Sequence, residues 1–501
     1  MCSLAREHWA AGRADAAIGE AWTAYRLEPQ DTEAKLLLAA LVGEFPAQIA
    51  PGMRGDLLQL LADREVAPEY ISVAGWLLLL RDGSWFAAAK NAAFDSLAAR
   101  LEGDELTLAL LREAPVFLRD AERVLTQLRR WLLLSRQWSH YRRLADALIV
   151  QAGLNGGAWP FSDTERELLK PASTLQIAAA YRPVPAAAPA PRASEFADPV
   201  TRAVAEDYER WPYPVWRRIM AVETRQRLPD QIRRLDPDGP DCLPVDAKIL
   251  IAGCGTGSEA AQAALEYPDA SVTAIDVSEA SLSYARRQCA ALGLHGIRFL
   301  NLDLHDVSTL KESFDAIFCS GVLHHLPDPE RGWAALAAVL RAGGVMRIML
   351  YSRTARLGIA DARTLIEDLA ARPADDDVLR AVRQRIMNRS DDPRVREILN
   401  ASAFATLAGT HDLLLHRRED PFDIPRIARA LERLRLRLIS FVLPMPDIRA
   451  RYDAMFPADR THRSLQSWAA FERREPTAFI SQYIFWCRSD AFWLQSGGVA
   501  R

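Results

Sequence analysis

Lys248-Ile249-Leu250-Ile251-Ala252-Gly253-Cys254-Gly255-Thr256-Gly257 runs a short apolar segment, Ile249 to Ile251, into three glycines at alternate positions, and an alanine-rich segment from Ser258 to Leu265 follows. The pattern predicts strand, tight loop and helix, with the strand buried in a parallel sheet. Glycines take backbone angles that side chains forbid and let a ligand approach the main chain. Such a loop alone does not separate dinucleotide sites from phosphate sites. A second apolar run, Ser271 to Ile275, ends in Asp276, nineteen residues beyond Gly257. An acid at that point of a strand–loop–helix–strand unit accepts hydrogen bonds from both hydroxyls of a ribose. Asp276 therefore points to a ligand with an unphosphorylated ribose, and the absence of a lysine followed by Ser or Thr at the end of the loop argues against a P-loop.

Further on, Ile297 to Leu302 leads into Asp303-Leu304, and Phe314 to Cys319 leads into Ser320-Gly321-Val322-Leu323-His324-His325-Leu326. Arg341-Ala342-Gly343-Gly344 then turns the chain into Val345 to Leu350. In this order Ile-Ala-Gly-Cys-Gly-Thr-Gly, Ala-Ile-Asp-Val-Ser, Asn-Leu-Asp-Leu, Phe-Asp-Ala-Ile, Gly-Val-Leu-His-His-Leu and Arg-Ala-Gly-Gly resemble the successive motifs of class I S-adenosylmethionine-dependent methyltransferases, over residues 245–352. The resemblance implies an α/β fold, a Rossmann-like seven-stranded sheet, and S-adenosyl-L-methionine as cofactor. It assigns the methionine moiety to the backbone around Gly253, Cys254, Gly255, Thr256 and Gly257, the ribose to Asp276 with Val277 beside it, and the adenine to Asp303 and Leu304. Ser320, Gly321 and His325 are further cofactor contacts by the same resemblance. A dinucleotide-binding Rossmann domain without methyl transfer is the alternative. Many family members carry an acid at the end of the first strand, where this chain has Ile251. Another acid must serve here, or the methionine end is held by backbone alone.

Methyl transfer from a sulfonium is an in-line displacement with a neutral leaving group, so the protein mainly aligns the nucleophile and strips it of water. An amine acceptor must lose a proton before attack. His324, leaving strand four, and Tyr351, ending strand five, are the catalytic candidates. For His324 the alternative is to shape its loop and touch the cofactor. Upstream, Asp207-Tyr208-Glu209-Arg210-Trp211-Pro212-Tyr213-Pro214-Val215-Trp216 places four aromatics within nine residues. Aromatic faces attract a sulfonium, so Tyr208 and Tyr213 are candidate cofactor contacts, with Trp216 a third ring able to close over the donor. A hydrophobic clasp between linker and catalytic domain is the bland reading of the same segment.

The chain of 501 residues has room for two or three cores. A net charge of -3 argues against a general nucleic-acid-binding face. Six cysteines without metal-ligand spacing suit a reducing compartment. With neither a signal pattern nor an apolar run long enough to span a bilayer, a cytoplasmic protein without membrane attachment is expected.

Residues 1–182 read as helices. Gly12, Ala17, Ala24 and Pro29, followed by Asp31 to Val42, resemble one and a half tetratricopeptide repeats. Trp9, Trp22 and Tyr25 are read as core. The arginines Arg119, Arg123, Arg129 and Arg130 are read as a solvated or partner-facing side. Residues 183–199, rich in Pro and Ala, form a linker. The methyltransferase domain takes 200–356 and 421–501, interrupted by a helical insertion at 357–420 that leaves from the ligand-binding edge of the sheet and is expected to form a substrate lid. His411, Asp412, His416, Glu419 and Asp420 gather there without a recognisable metal-ligand spacing, so no metal site is assigned. The Tyr-Glu-Arg-Trp-Pro-Tyr-Pro segment and Leu350-Tyr351-Ser352-Arg353-Thr354-Ala355-Arg356 resemble a bacterial subgroup in which tetratricopeptide-like helices precede the methyltransferase domain. Three readings follow: a protein N-methyltransferase acting on a protein or peptide, a small-molecule methyltransferase, and a cofactor-binding scaffold without turnover. An apolar helical stack also makes a homodimer an expectation.

Overall fold

Ile249 and Ile251 are buried with Ala260, Ala263 and Phe318 in one apolar cluster, and Leu250 and Ala252 with Ile317, Trp333 and Met346 in another. Successive side chains of one strand thus feed cores on both faces of a sheet, the burial that parallel strands require. A computed structural model describes residues 1–170, 175–182, 196, 198–220, 225–445 and 447–489. Its strands are β1 (Lys248–Ala252), β2 (Ser271–Asp276), β3 (Arg298–Asn301), β4 (Phe314–Ser320), β5 (Leu340–Tyr351), β6 (Leu436–Val442) and β7 (Gln482–Ser489). They form one sheet in the order β3-β2-β1-β4-β5-β7-β6, with β7 antiparallel to both neighbours. The strand order reverses between β1 and β4. Open α/β sheets bind ligands outside the carboxyl ends of strands at such a point.

The apolar pattern also predicts a crossover helix over 424–435 and strands over 436–443 and 478–488; all seven strands and that helix, Ile424–Arg433, are present, with shifted boundaries. β3 is shorter than 297–302. β5 begins at Leu340 because Leu340 pairs with Phe314 before the register shifts. β7 begins at Gln482 and not Ala478, since Ser481 takes a left-handed φ of 62° that breaks an extended strand. Ala478 and Phe479 are nonetheless buried in the core.

By contact the chain divides into two units, each assembled from three stretches. The first comprises Met1–Ala187, Pro214–Glu223 and Asp361–Leu415, and the second Ala188–Tyr213, Thr224–Ala360 and His416–Arg501. The regular elements of the first unit, among its described residues, are all helices joined by loops. Its opening helices, Ala14–Leu27 and Thr32–Glu44, are joined by a turn whose Asp31 accepts the N–H of Ala34 at 2.7 Å, an N-cap. Tyr25 is buried as expected; Trp9 and Trp22 are only partly so. Most of the inserted segment belongs to this unit. Its helix Asp376–Met387 is capped by Asp375, and its Arg383 forms a buried ion pair with Glu122 at 2.7 and 2.8 Å.

The arginine face requires a correction. Arg129 is 1% exposed. Its guanidinium donates to the carbonyls of Ala180 and Pro160 and lies 3.9 Å over the ring of Tyr181. Carbonyls and an aromatic face replace the water that its helical pattern suggested.

The Pro/Ala linker lies almost wholly outside the described residues. Among the described residues no helix is long and apolar enough to cross a membrane.

Candidate functional site

Beyond β1 the loop turns with positive φ at Gly253, Gly255 and Gly257. A Cβ at Gly257 would stand 2.5 Å from the Cβ of Ala285, on the helix Glu279–Ala291. The packing of that helix therefore needs glycine there. The loop's N–H groups are used within the chain. Those of Gly253 and Cys254 donate to the carbonyl of Ile275, that of Gly255 to Oδ2 of Asp276, and that of Gly257 to the carbonyl of Cys254. Four N–H groups of the loop are thus spent within the chain, unlike those of a loop that cradles a phosphate. Thr256 is fully buried, and burial raises the Cys254 thiol well above its ordinary range.

Asp276 ends β2 with Oδ2 on the N–H of Gly255 at 2.7 Å and Oδ1 on the N–H of Ser278 at 2.8 Å. Burial pushes its carboxyl up to about 6 against these bonds, and the neighbouring charge of Glu209 adds to the rise. Asn301 Nδ2 donates to the carbonyls of Asp276 and Val277, fixing the strand end. Asp303 accepts the N–H of His305 at 2.9 Å and pairs with its ring at 3.0 Å. Burial alone would raise the Asp303 carboxyl, but the bonds from His305 outweigh it and hold it below the usual range. Leu304 is buried beside it.

Across the switch point, Ser320 Oγ donates to Glu259 Oε1 at 2.7 Å, and Arg347 Nη1 donates to the same oxygen at 2.7 Å. Glu259 lies in the first turn of the helix Ser258–Glu266, whose Ala260 and Ala263 pack in the core that holds Ile251. The chain thus supplies a half-buried acid from the helix on the side where its first strand has only Ile251. Burial raises the Glu259 carboxyl, with Arg347 opposing. Gly321 takes a φ of 75°, and its Cβ position would stand 3.4 Å from Met349 Cε.

His324 and Tyr351 are brought together. Their rings lie 3.9 Å apart, and His324 Nδ1 accepts the N–H of Tyr351 at 3.4 Å. That acceptor role leaves the proton of a neutral imidazole on Nε2, a buried atom with no partner among the described residues. Burial, together with the charges of His325 and Arg356, drives His324 well below the usual histidine range. On the other face of Tyr351 the guanidinium of Arg356 stands 3.7 Å from the ring centre and pairs with Glu419, both side chains nearly fully buried. His325 donates Nδ1–H to the carbonyl of Arg418 at 2.7 Å and stacks on His416 at 3.7 Å. Tyr208 lies 6.0 Å from His416. Glu419 and Asp420 are engaged in pairs with Arg356 and Arg426, while His411 and Asp412 belong to the helical unit.

Tyr213 approaches the loop through its backbone: its carbonyl oxygen stands 3.0 Å from the place a Cβ would occupy on Gly255. Sequence reasoning did not single out Glu209. Its carboxylate accepts the N–H of Glu279 at 2.5 Å and of Ala280 at 3.2 Å, just beyond Asp276.

These features agree with known proteins over the same region. Residues 249–344 match the family model described as a methyltransferase domain. Methyltransferase GfsG of Streptomyces halstedii is 31% identical over 225 residues, covering 44% of this chain and 70% of that protein. Trans-aconitate 2-methyltransferase of Deinococcus radiodurans is 36% identical over 104 residues, covering 21% of this chain and 38% of that enzyme. An uncharacterized protein of Synechococcus is 45% identical over 124 residues, covering 25% of this chain and 29% of that protein. This chain spans less than two fifths of the length of the latter two relatives.

Proposed function

Because this chain belongs to the class I S-adenosylmethionine-dependent methyltransferases, we propose that it methylates a side-chain nitrogen of a protein. S-adenosylmethionine supplies a methyl group made electrophilic by its sulfonium. Asp276 accepts the ribose hydroxyls, and Val277, Asp303 and Leu304 border the adenine. The carbonyls of the loop Gly253–Gly257 take the ammonium of the methionine end, with Glu259 as the nearby anion and Ser320 and Gly321 as the far wall. Tyr208, Tyr213 and His325 line the approach to the transferred group.

His324 acts best as a neutral wall and donor. Its Nδ1 is turned to the Tyr351 N–H, so taking a proton from an amine would require the other tautomer and would set Nδ1–H against that N–H. Neutrality matters in itself, since a cationic imidazole would repel the sulfonium. Arg356, compensated by Glu419, fixes the Tyr351 ring where the attacking nitrogen arrives. The amine therefore enters already deprotonated, and alignment with exclusion of water accounts for the rate.

The observation that carries the protein reading is the helical unit. None of its described residues joins the sheet, yet it draws in most of the segment inserted after β5. A small acceptor needs only pocket walls; a polypeptide needs a surface. The capped helix pair Ala14–Leu27 and Thr32–Glu44 supports placing the chain in the bacterial subgroup with tetratricopeptide-like helices. The name of the Deinococcus radiodurans relative favours a second reading, a small-molecule acceptor.

The test is incubation with methyl-labelled S-adenosylmethionine and a bacterial lysate, followed by protease digestion of the labelled product. Label in a discrete protein band that becomes labelled amino-acid side chains supports the proposal. Label confined to molecules that pass a small-pore filter before digestion supports the second reading.

A further inference from the structure

Asp276 is gripped from two sides, by the N–H of Gly255 on one oxygen and the N–H of Ser278 on the other. The segment Glu209 to Tyr213 touches the chain next to each of these donors. Glu209 bonds the N–H groups of Glu279 and Ala280, immediately past Ser278. The Tyr213 carbonyl abuts Gly255 itself. The segment therefore spans the Asp276 carboxylate from one donor to the other, and Glu209 brings a second carboxylate to the same crevice.

We propose that Glu209 is a second ribose-binding carboxylate, sharing with Asp276 the two hydroxyls of the cofactor's ribose. A diol brings two donors. Asp276 already accepts the main-chain N–H groups of Gly255 and Ser278, with a further one from Val277, so a second carboxylate supplies a diol with an acceptor that Asp276 alone is short of. The N–H groups of Glu279 and Ala280 and the side chain of Ser278 use about three of the roughly four acceptor positions of Glu209, which leaves about one for a hydroxyl. Ser278 caps the helix Glu279–Ala291 by accepting the N–H of Ser281, and Glu209 takes the N–H groups of Glu279 and Ala280 that this cap leaves open, which holds its carboxylate beside Asp276. Glu209 is also placed independently of its own bonds. Its helix, Pro199–Arg210, is capped by Asp198 and tied near its end by the Asp207–Arg417 pair at 2.8 and 3.0 Å. Burial raises both carboxyls, and the Glu209 charge contributes to the rise of Asp276, as two anions facing one space should.

The proposal rests on assigning the ribose to Asp276, and the experiment separates the two claims. S-adenosylhomocysteine and its 2′-deoxy and 3′-deoxy analogues are titrated calorimetrically into the wild-type protein, Glu209→Gln and Asp276→Asn. Glu209→Gln is expected to weaken the parent ligand by about tenfold, the worth of one charge-assisted hydrogen bond, while leaving one deoxy analogue within about twofold of wild type. A loss of equal size for all three ligands, or no loss for any, overturns the proposal and reduces Glu209 to a helix cap. If Asp276→Asn narrows the preference for the hydroxylated ligand and Glu209→Gln does not, the proposal fails while the ribose site stands. If neither variant alters that preference, the ribose site itself is misassigned.

Discussion

Asp276 carries a testable sign. Its carboxyl is pushed up to about 6 by burial and then by Glu209, while ribose hydroxyls donate more strongly to the ionised form and lower it on binding. Affinity for S-adenosylhomocysteine should therefore rise as pH increases through about 6 and level off above 7, with a proton released on binding near pH 6. Titrations in two buffers of different ionisation heat detect that proton, and an affinity flat from pH 5 to 8 would contradict the assignment. For His324 the expectation is the reverse. Held far below the usual histidine range, it should add no limb to the pH–rate profile between pH 5.5 and 8, and His324→Asn should remove none. Asp276 was legible because spacing from a glycine loop is a local signal. Glu209 was not, because its partners lie past another strand and nothing in its own helical turn marks it. The burial of Arg129 was hidden for a similar reason: the carbonyls that receive it come from Pro160 and Ala180.

Among elements, the neck of the insertion is the most constrained. Tyr351 and Phe422 are joined through the bridge Ser352 to Phe422, the Phe422 N–H donating to the Tyr351 carbonyl at 2.8 Å. Arg356 and Glu419 pair across the same neck, nearly fully buried. Removing one partner of such a pair strands a charge. Glu419→Ala should cost about 3–5 kcal/mol of stability, whereas Glu419→Gln, which still accepts hydrogen bonds, should cost less. Chemical denaturation measures both, and equal losses would show that charge is irrelevant there. Tyr351, which rests on that guanidinium, should lose its place in Glu419→Ala, lowering kcat more than it raises KM for the cofactor. The strands around this neck were legible from apolar runs and glycine turns. The left-handed Ser481 that sets the start of β7 was not, since serine carries no prior for that conformation.

On the scale of the whole molecule, the two units are interleaved along the chain, and this changes what a truncation can show. Deleting residues 1–180 would remove Glu122 and leave Arg383 unpaired in what remains of the helical unit. Glu122→Ala alone should destabilise that unit by about 3–5 kcal/mol, read as an earlier transition in thermal unfolding. A shift of under 1 °C would contradict the buried pair. Helical content was legible from periodicity, but the membership of 361–415 in the helical unit was not, because a linear pattern does not say which core a helix joins. The proposed activity requires that methyl transfer from S-adenosylmethionine occur at the crevice around Asp276. The most direct measurement is S-adenosylhomocysteine formation by the wild-type protein and by Asp276→Ala, with and without added lysate. The account predicts lysate-dependent product from the wild type and a loss of roughly 30-fold or more in the variant at sub-saturating cofactor, the worth of about 2 kcal/mol or more of hydrogen bonding to a charged group. Equal product from both proteins would contradict it.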